Sequence, residues 1–266
     1  MMLNAAVTIN VFFNGGTMQL SNAEFGLLQQ SIDAIMHKIA ELHLSVVTES
    51  NFDALQAFLA ANDADRNPTF NPAFSDIERD AFWFRVIDDR GATVACHADR
   101  IFRLDDFGDL LESGRLWYRD GFGPHSPVDV RVDRPSIRVG GTVSHSGSLY
   151  VHPRSRGCGL SLYLPYLSRS VLLRNFHTTY HTGVVFKSLA SSRVPTANYG
   201  YPHVDPCLNG FFPPTGKSEL MYFCYIDQRE SLRQLLDLPR HPEFPVDLGL
   251  RSDRKVLEYS AVGAND

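Results

Sequence analysis

"SGSLYVHPRSRGCGLSLYL", residues 146–164, decides how this chain is read. It passes from an alternating, partly apolar run through Pro153 and a loop of arginines and glycines into a long apolar segment. That order predicts a strand, a tight bend and a helix. A helix that starts on a glycine-rich bend leaves its first N–H groups without intrahelical partners, and its dipole places partial positive charge there. Gly157 and Gly159 remove side chains that would hold a ligand away from those donors, and Arg156 adds a fixed charge beside them. The stretch therefore suits a phosphate or pyrophosphate. Glycines also serve strand-to-helix turns that hold no ligand, and spacing alone leaves both readings open.

Outward from this loop, residues 144–186 predict a strand–helix–strand unit with a right-handed crossover. The helix covers 160–174 and carries Pro165, which removes one backbone bond and predicts a kink. A strand is expected near 178–186, a shorter helix near 187–198, and a late strand over "SELMYFCYID". Upstream, "AFWFRVIDDRGATVACHADRIFRL" reads as a hairpin turning at Asp88 to Gly91. Residues 44–48 predict a short strand, and "ESNFDALQAFLAAND" a helix capped near Ser50 or Asn51. A loop rich in Asn and Pro covers 62–76, and 105–127 is an excursion with one short helix. Gly140-Gly141 is expected as a turn before the strand that leads into the loop.

Ser21-x-x-Glu24 is a capping box, and Phe25, Leu28, Ile32, Ile35, Ile39 and Leu42 follow at helical spacing. This amphipathic stripe predicts packing on its own domain; pairing of two copies into a homodimer is the alternative. The last thirty residues are Pro-rich and poorly patterned. The order of elements is mixed α/β (α+β).

Composition narrows the function classes. The chain has 266 residues, 44% of them hydrophobic and 21% charged, in the range of ordinary globular proteins. Its net charge of −5, with Lys and Arg scattered, gives no footprint for nucleic acid. Cys96, Cys158, Cys207 and Cys224 share no tight spacing, which predicts free thiols in a reducing compartment. No Lys or Arg precedes Lys38, and no apolar run reaches about 18 residues, so neither a signal peptide nor a membrane span is expected. A cytoplasmic location follows as the expectation.

Other constellations are weaker. "GFFPPTGKS" places five residues between Gly210 and Gly216 where a P-loop has four, and a strand rather than a helix follows it. The dinucleotide fingerprint lacks its third glycine. His177-x-x-x-His181 has helical ligand spacing but falls at a predicted strand start, and His203-x-Asp205 has no third ligand close by, so no metal is expected.

Val151-x-Pro153-x-x-Arg156-Gly157-x-Gly159-Leu160-Ser161 resembles the acetyl-CoA signature of the GNAT acetyltransferase superfamily, V-x-P-x-x-R-G-x-G-[I/L]-[G/A/S]. A second register, Arg154-x-x-Gly157-x-Gly159, also satisfies the shorter core formula; Val151-x-Pro153 favours the first. The resemblance implies a GNAT-like α/β (α+β) fold, a mixed, mostly antiparallel sheet of about six to seven strands flanked by helices on both faces, with the GNAT domain over residues 44–236, an N-terminal extension with its helix at 1–43, and a tail at 237–266. It implies acetyl-CoA as cosubstrate, held by Leu149, Tyr150 and Val151 along the pantetheine arm. Arg156, Gly157, Cys158, Gly159, Leu160 and Ser161 would hold the pyrophosphate, with Asn198 beside them. In such enzymes an amine attacks the thioester directly, which needs a proton acceptor and an acid for the leaving thiolate. The family's strand carboxylate has no counterpart in "TVSHSGSLYV", so His145 is the candidate base, with His181 comparable on the next strand. The family's tyrosine position is Thr196 here, and the nearest phenols, Tyr199 and Tyr201, make Tyr199 the candidate acid. The expected function is acetyl transfer to an amine-bearing acceptor, without nucleic acid or membrane as partner. A longer-chain acyltransferase using acyl-CoA or acyl carrier protein, and a non-catalytic CoA-binding module, are the alternatives.

Overall fold

The Ser21 hydroxyl accepts the Glu24 N–H at 3.3 Å, and the Glu24 carboxylate accepts the Ser21 N–H at 2.7 Å. This reciprocal cap, worth about 1 kcal/mol, opens helix α1 (Asn22–Glu41) in a computed structural model that describes residues 20–64, 67–77, 80–123 and 131–237. Most of the predicted N-terminal extension ahead of α1, the end of the 105–127 excursion and nearly all of the C-terminal tail lie outside the described residues.

Strand β1 (Ser45–Glu49) and helix α2 (Phe52–Ala61), capped by the Asn51 side chain, follow as predicted. The hairpin is β2 (Ala81–Ile87) and β3 (Thr93–Leu104), its turn fixed by Asp88, whose carboxylate accepts the Arg90 and Ala92 N–H groups. After the short helix α3 (Gly108–Ser113) and the two-residue β4 (Arg131–Val132) comes β5 (Gly141–Val151). Gly141 opens that strand at φ 92°, where a Cβ would lie 2.7 Å from the Thr179 hydroxyl. Helix α4 (Leu160–Phe176) runs on through Pro165 to β6 (Tyr180–Phe186).

Two differences follow from prolines and a bulge. The helix expected over 187–198 is two short turns, α5 (Lys187–Ala190) and α6 (Val194–Ala197), with Pro195 starting the second. Strand β7 (His203–Phe212) escapes the sequence patterning because Pro206 interrupts it at a register shift between Pro206 and Leu208. It pairs with β8 (Lys217–Asp227), and a last helix, α7 (Gln228–Asp237), follows β8 directly.

The eight strands found among the described residues form one sheet in the order β1-β2-β3-β5-β6-β8-β7-β4. Only β5 and β6 run parallel, and every other pair is antiparallel. On one face α1, α4 and α7 cover a core that includes Leu28, Ile35, Phe82, Val86, Leu164 and Leu235. The α1 stripe is thus spent on α4 and α7 of the same chain, and each such fully buried Leu or Ile contributes roughly 1.5–3 kcal/mol. On the other face α2 packs on Trp83, Cys96 and Ala98, and α3 on Val143, Phe223 and their neighbours. No helix among the described residues is long and apolar enough to cross a membrane.

Candidate active site

β5 and β6 exchange a ladder only from Val143 to Ser146 against Tyr180 to Gly183. Beyond that point β5 pairs only with β3, and β6 only with β8, so the two parallel strands part and leave a wedge. A bulge widens it. Gly147 faces Ala98 and Tyr150 faces Cys96, which leaves Ser148 and Leu149 opposite the single residue His97. Ser148 sits at φ 48°, and its carbonyl accepts the Cys96 thiol at 3.1 Å.

The extra residue inverts the alternation along β5. Before it, Ser144 and Ser146 point to the α4 face and Val143 and His145 to the other; after it, Leu149 and Val151 join the α4-side core. Ala95 and Val151 face each other without exchanging bonds, because the His152 N–H reaches the Val94 carbonyl instead. Val151 therefore turns its N–H and C=O to the open edge of the wedge. The Arg156 Nε donates to that carbonyl at 3.1 Å.

The loop from β5 to α4 is built to present Arg156. Arg154 is held 3.2 Å from the Asp88 carboxylate in the β2–β3 turn, while Arg156 is exposed and lines the cleft. Of the two arginines that the sequence offers, Arg154 is thus paired away from the cleft. Gly157 (φ 78°) and Gly159 (φ 88°) both take left-handed backbone. They differ in surroundings. A Cβ on Gly159 would lie 2.9 Å from the Tyr163 ring, whereas one on Gly157 would meet nothing within 4 Å. Gly159 caps α4, Leu160 is buried in the core, and Cys158 donates its thiol to the Ser155 carbonyl at 2.8 Å.

The wedge opens a cleft of about 420 Å³ that runs from Arg156 and Pro165 past Leu149 and Tyr150 to Ser146 and Gly183. Its inner wall holds a polar group the sequence reading passed over. His97 is 3% exposed, and neither of its ring nitrogens has a hydrogen-bond partner among the described residues. Its Nε2 lies 3.7 Å from the Asp99 carboxylate, which is fully buried and accepts the Ser146 hydroxyl at 2.5 Å and the α4 Ser168 hydroxyl at 2.7 Å. Burial lowers the His97 pKa and raises that of Asp99, and the Arg169 charge adds to the first effect. A neutral imidazole with neither nitrogen hydrogen-bonded to a described residue thus stands in the wall of the cleft. The signal was there to find: Ala95, His97 and Asp99 alternate on one face of β3.

The predicted residues fall in several places. Tyr199 and Tyr201 both line the cleft, as do Leu149, Tyr150, Arg156 and the wedge residue Gly183. Burial raises the Tyr199 pKa to about 12, so its phenol stays protonated, and the Tyr201 hydroxyl donates to the Thr182 carbonyl at 3.0 Å. Arg169 holds this segment: it donates to the Tyr199 carbonyl and lies over the rings of Tyr166 and Tyr201. Asn198 is buried and reaches the Ser161 hydroxyl at 3.4 Å, joining the segment to the start of α4.

His145 does not stand where a base is needed. It lies on the opposite face, stacked between Phe70 and Phe107, with Nδ1 bonded to the Thr182 hydroxyl at 3.1 Å. Burial lowers its pKa to about 3. The bulge at Ser148 is the reason, since strand alternation carries His145 away from the face that Leu149 and Val151 share. His181 is fully engaged, its nitrogens 2.8 Å from the Ser144 hydroxyl and 3.0 Å from the Thr178 hydroxyl. The His145 Nε2, by contrast, is buried without a hydrogen-bond partner among the described residues.

The elements stand in the order antiparallel strands, a bulged strand, a glycine loop, a helix, a parallel strand that splays away, and a final hairpin. The fold is GNAT-like. No protein-family model and no curated protein matches the chain. Among solved structures it is similar to the spermidine N-acetyltransferase of Vibrio cholerae in complex with CoA and spermine, at 11% identity and a TM-score of 0.42, covering 71% of this chain and 98% of that one. It is also similar to NAA60 of Arabidopsis thaliana in complex with acetyl-CoA, at 11% identity and a TM-score of 0.44, covering 69% of this chain and 99% of that one.

Proposed function

We propose that the chain is an N-acyltransferase that moves an acetyl group from acetyl-CoA to an amine by direct attack in a ternary complex. The observation that carries this is the splayed β5–β6 edge, which joins the glycine loop at one end to the orphaned His97 at the other. A pantetheine arm would lie against the free edge of β5, where Val151 offers an N–H group. The Arg156 guanidinium and the open space over Gly157 suit the pyrophosphate. Both donors are fixed before any ligand arrives, because Arg156 is tied through its Nε to the Val151 carbonyl.

His97 is assigned as the base. The attacking nitrogen forms its bond to the thioester carbonyl carbon and loses a proton to the neutral imidazole, with Asp99 stabilising the cation that results. The Asp99 carboxylate keeps its place through the Ser146 and Ser168 hydroxyls. As the C–S bond breaks, Tyr199 gives its proton to the departing thiolate. Arg169, which grips the Tyr199 carbonyl, positions the phenol without touching substrate.

The test is release of CoA thiol, followed with a thiol-reactive dye, from acetyl-CoA and a panel of primary amines. Release that requires an amine supports the proposal. Binding of acetyl-CoA with no release on any amine would instead make the chain a non-catalytic CoA-binding module.

A further inference from the structure

On the face of the sheet away from α4, a smaller cavity of about 80 Å³ lies between Trp117, Phe212 and Met221. Asn67, Val184 and Phe186 border both this cavity and the cleft. Val184 and Phe186 pack with the core on that far face, whereas His97 and Ser146 belong to the α4 side. The two spaces therefore meet through the sheet, at the wedge where the β5–β6 ladder stops after Ser146 and Gly183.

We propose that this cavity takes the side group of the acceptor, and that the acceptor is a primary amine carrying a single apolar ring or branched chain, not a polycation. The inference rests on the acyltransferase reading of the cleft. Three observations carry it. The described lining of the cavity contains no charged side chain, and the only carboxylate in the described lining of the cleft is the exposed Asp63. A second ammonium seated beyond the wedge would lose its water with nothing to pair it. The walls are also fixed: Trp117 is 1% exposed, meets Phe212 edge-on at 5.9 Å, and its carbonyl accepts the Ser75 hydroxyl at 3.1 Å. Finally, Pro214 and Thr215 form an exposed to half-exposed rim in the β7–β8 turn. A ligand can enter there while the cosubstrate occupies the opposite face, as a ternary complex requires. An acyl chain would need a closed end instead. At the junction, the Asn67 Oδ1 accepts the Thr69 N–H at 3.0 Å, and its Nδ2 faces Gly147, where a Cβ would come within 3.2 Å.

The full chain is assayed with acetyl-CoA against phenethylamine, isoamylamine, methylamine and spermidine, and with octanoyl-CoA in a parallel arm. The expected kcat/KM for phenethylamine or isoamylamine exceeds that for methylamine and spermidine by about tenfold or more, the scale of burying one apolar group. Thr215→Trp, at a half-exposed turn that tolerates it, and Met221→Trp inside the cavity should each raise KM for phenethylamine about tenfold by filling the same space. Neither should change the methylamine rate or the Kd for acetyl-CoA. Equal use of all four amines, or preference for spermidine, overturns the acceptor assignment while the acyltransferase reading stands. So does loss of octanoyl-CoA use alone in the two variants, which would make the cavity an acyl pocket. Failure to bind acetyl-CoA at all takes both proposals down.

Discussion

His97→Leu separates a base from a packing residue, because the two roles predict opposite signs in stability. Both ring nitrogens are buried without partners. Each such unmet group costs about 1–3 kcal/mol, and leucine of similar bulk carries none. The variant gives up little electrostatic energy in exchange. The imidazole is neutral, its nitrogen is 3.7 Å from the Asp99 carboxylate, and Asp99 keeps its bonds to Ser146 and Ser168. A net gain of about 1 kcal/mol or more is expected, or roughly 2–4 °C in Tm for a chain of this size. Turnover should move the other way, falling about 10²- to 10⁴-fold as a positioned base is lost. Differential scanning fluorimetry and the CoA-release assay on the same preparation read both. A lower Tm together with lost activity would refute the reasoning, and so would near-normal turnover at any Tm.

Tyr199→Phe keeps the buried ring and removes only the hydroxyl, so kcat should drop at least about tenfold with acetyl-CoA affinity unchanged; equal turnover would leave Tyr199 as packing, and damage in Tyr201→Phe alone would move the acid by two residues. Gly159→Val should destabilise the fold as well as the site, because its side chain runs into the Tyr163 ring, whereas Gly157→Ala, in open space at φ 78°, should cost about 1–2 kcal/mol of backbone strain and weaken acetyl-CoA binding without collapse. Thermal melts and calorimetry on the pair distinguish these outcomes. Burial holds His97, His145 and His181 below the ordinary histidine range, His145 at about 3. The unfolded chain takes up those protons as pH falls below about 6.5 and the folded chain does not, so stability is full above that value and declines toward acid by about 1.4 kcal/mol per pH unit for each histidine. His145→Phe, which can still stack with Phe70 and Phe107, should flatten that slope between pH 7 and 5 in urea titrations; an unchanged slope would contradict the assignment.

The loop and its flanking elements were legible because their signals are local. Pro153, Gly157 and Gly159 punctuate the chain where strand becomes helix, and the α1 and β2–β3 patterns carry their own caps and turn. What failed depends on register. Pro206 disguises β7, whose ladder survives by shifting register past it. His145 faces away from the cleft for a related reason: one extra residue at Ser148 reverses which side of β5 faces α4, and Gly147 is the one cue to the bulge in "TVSHSGSLYV". His97 and Asp99 share a face by simple alternation, yet their partners Ser146 and Ser168 lie on two other elements, so the network exists only in three dimensions. The far cavity is likewise assembled from Pro68, Trp117, Phe212 and Met221, which no sequence window contains.

The central claim is that the β5–β6 cleft holds acetyl-CoA with its pyrophosphate at Arg156. Calorimetric titration of acetyl-CoA into the intact chain, Arg156→Ala and Arg154→Ala tests it most directly. Arg154 is spent on Asp88, 3.2 Å away, while Arg156 turns toward the cleft. A charge-assisted hydrogen bond is worth about 1.5–3 kcal/mol, so saturable binding at one site should weaken roughly tenfold or more in Arg156→Ala and stay near the parent value in Arg154→Ala. No binding heat in the parent chain, or equal affinity in all three proteins, would contradict the claim.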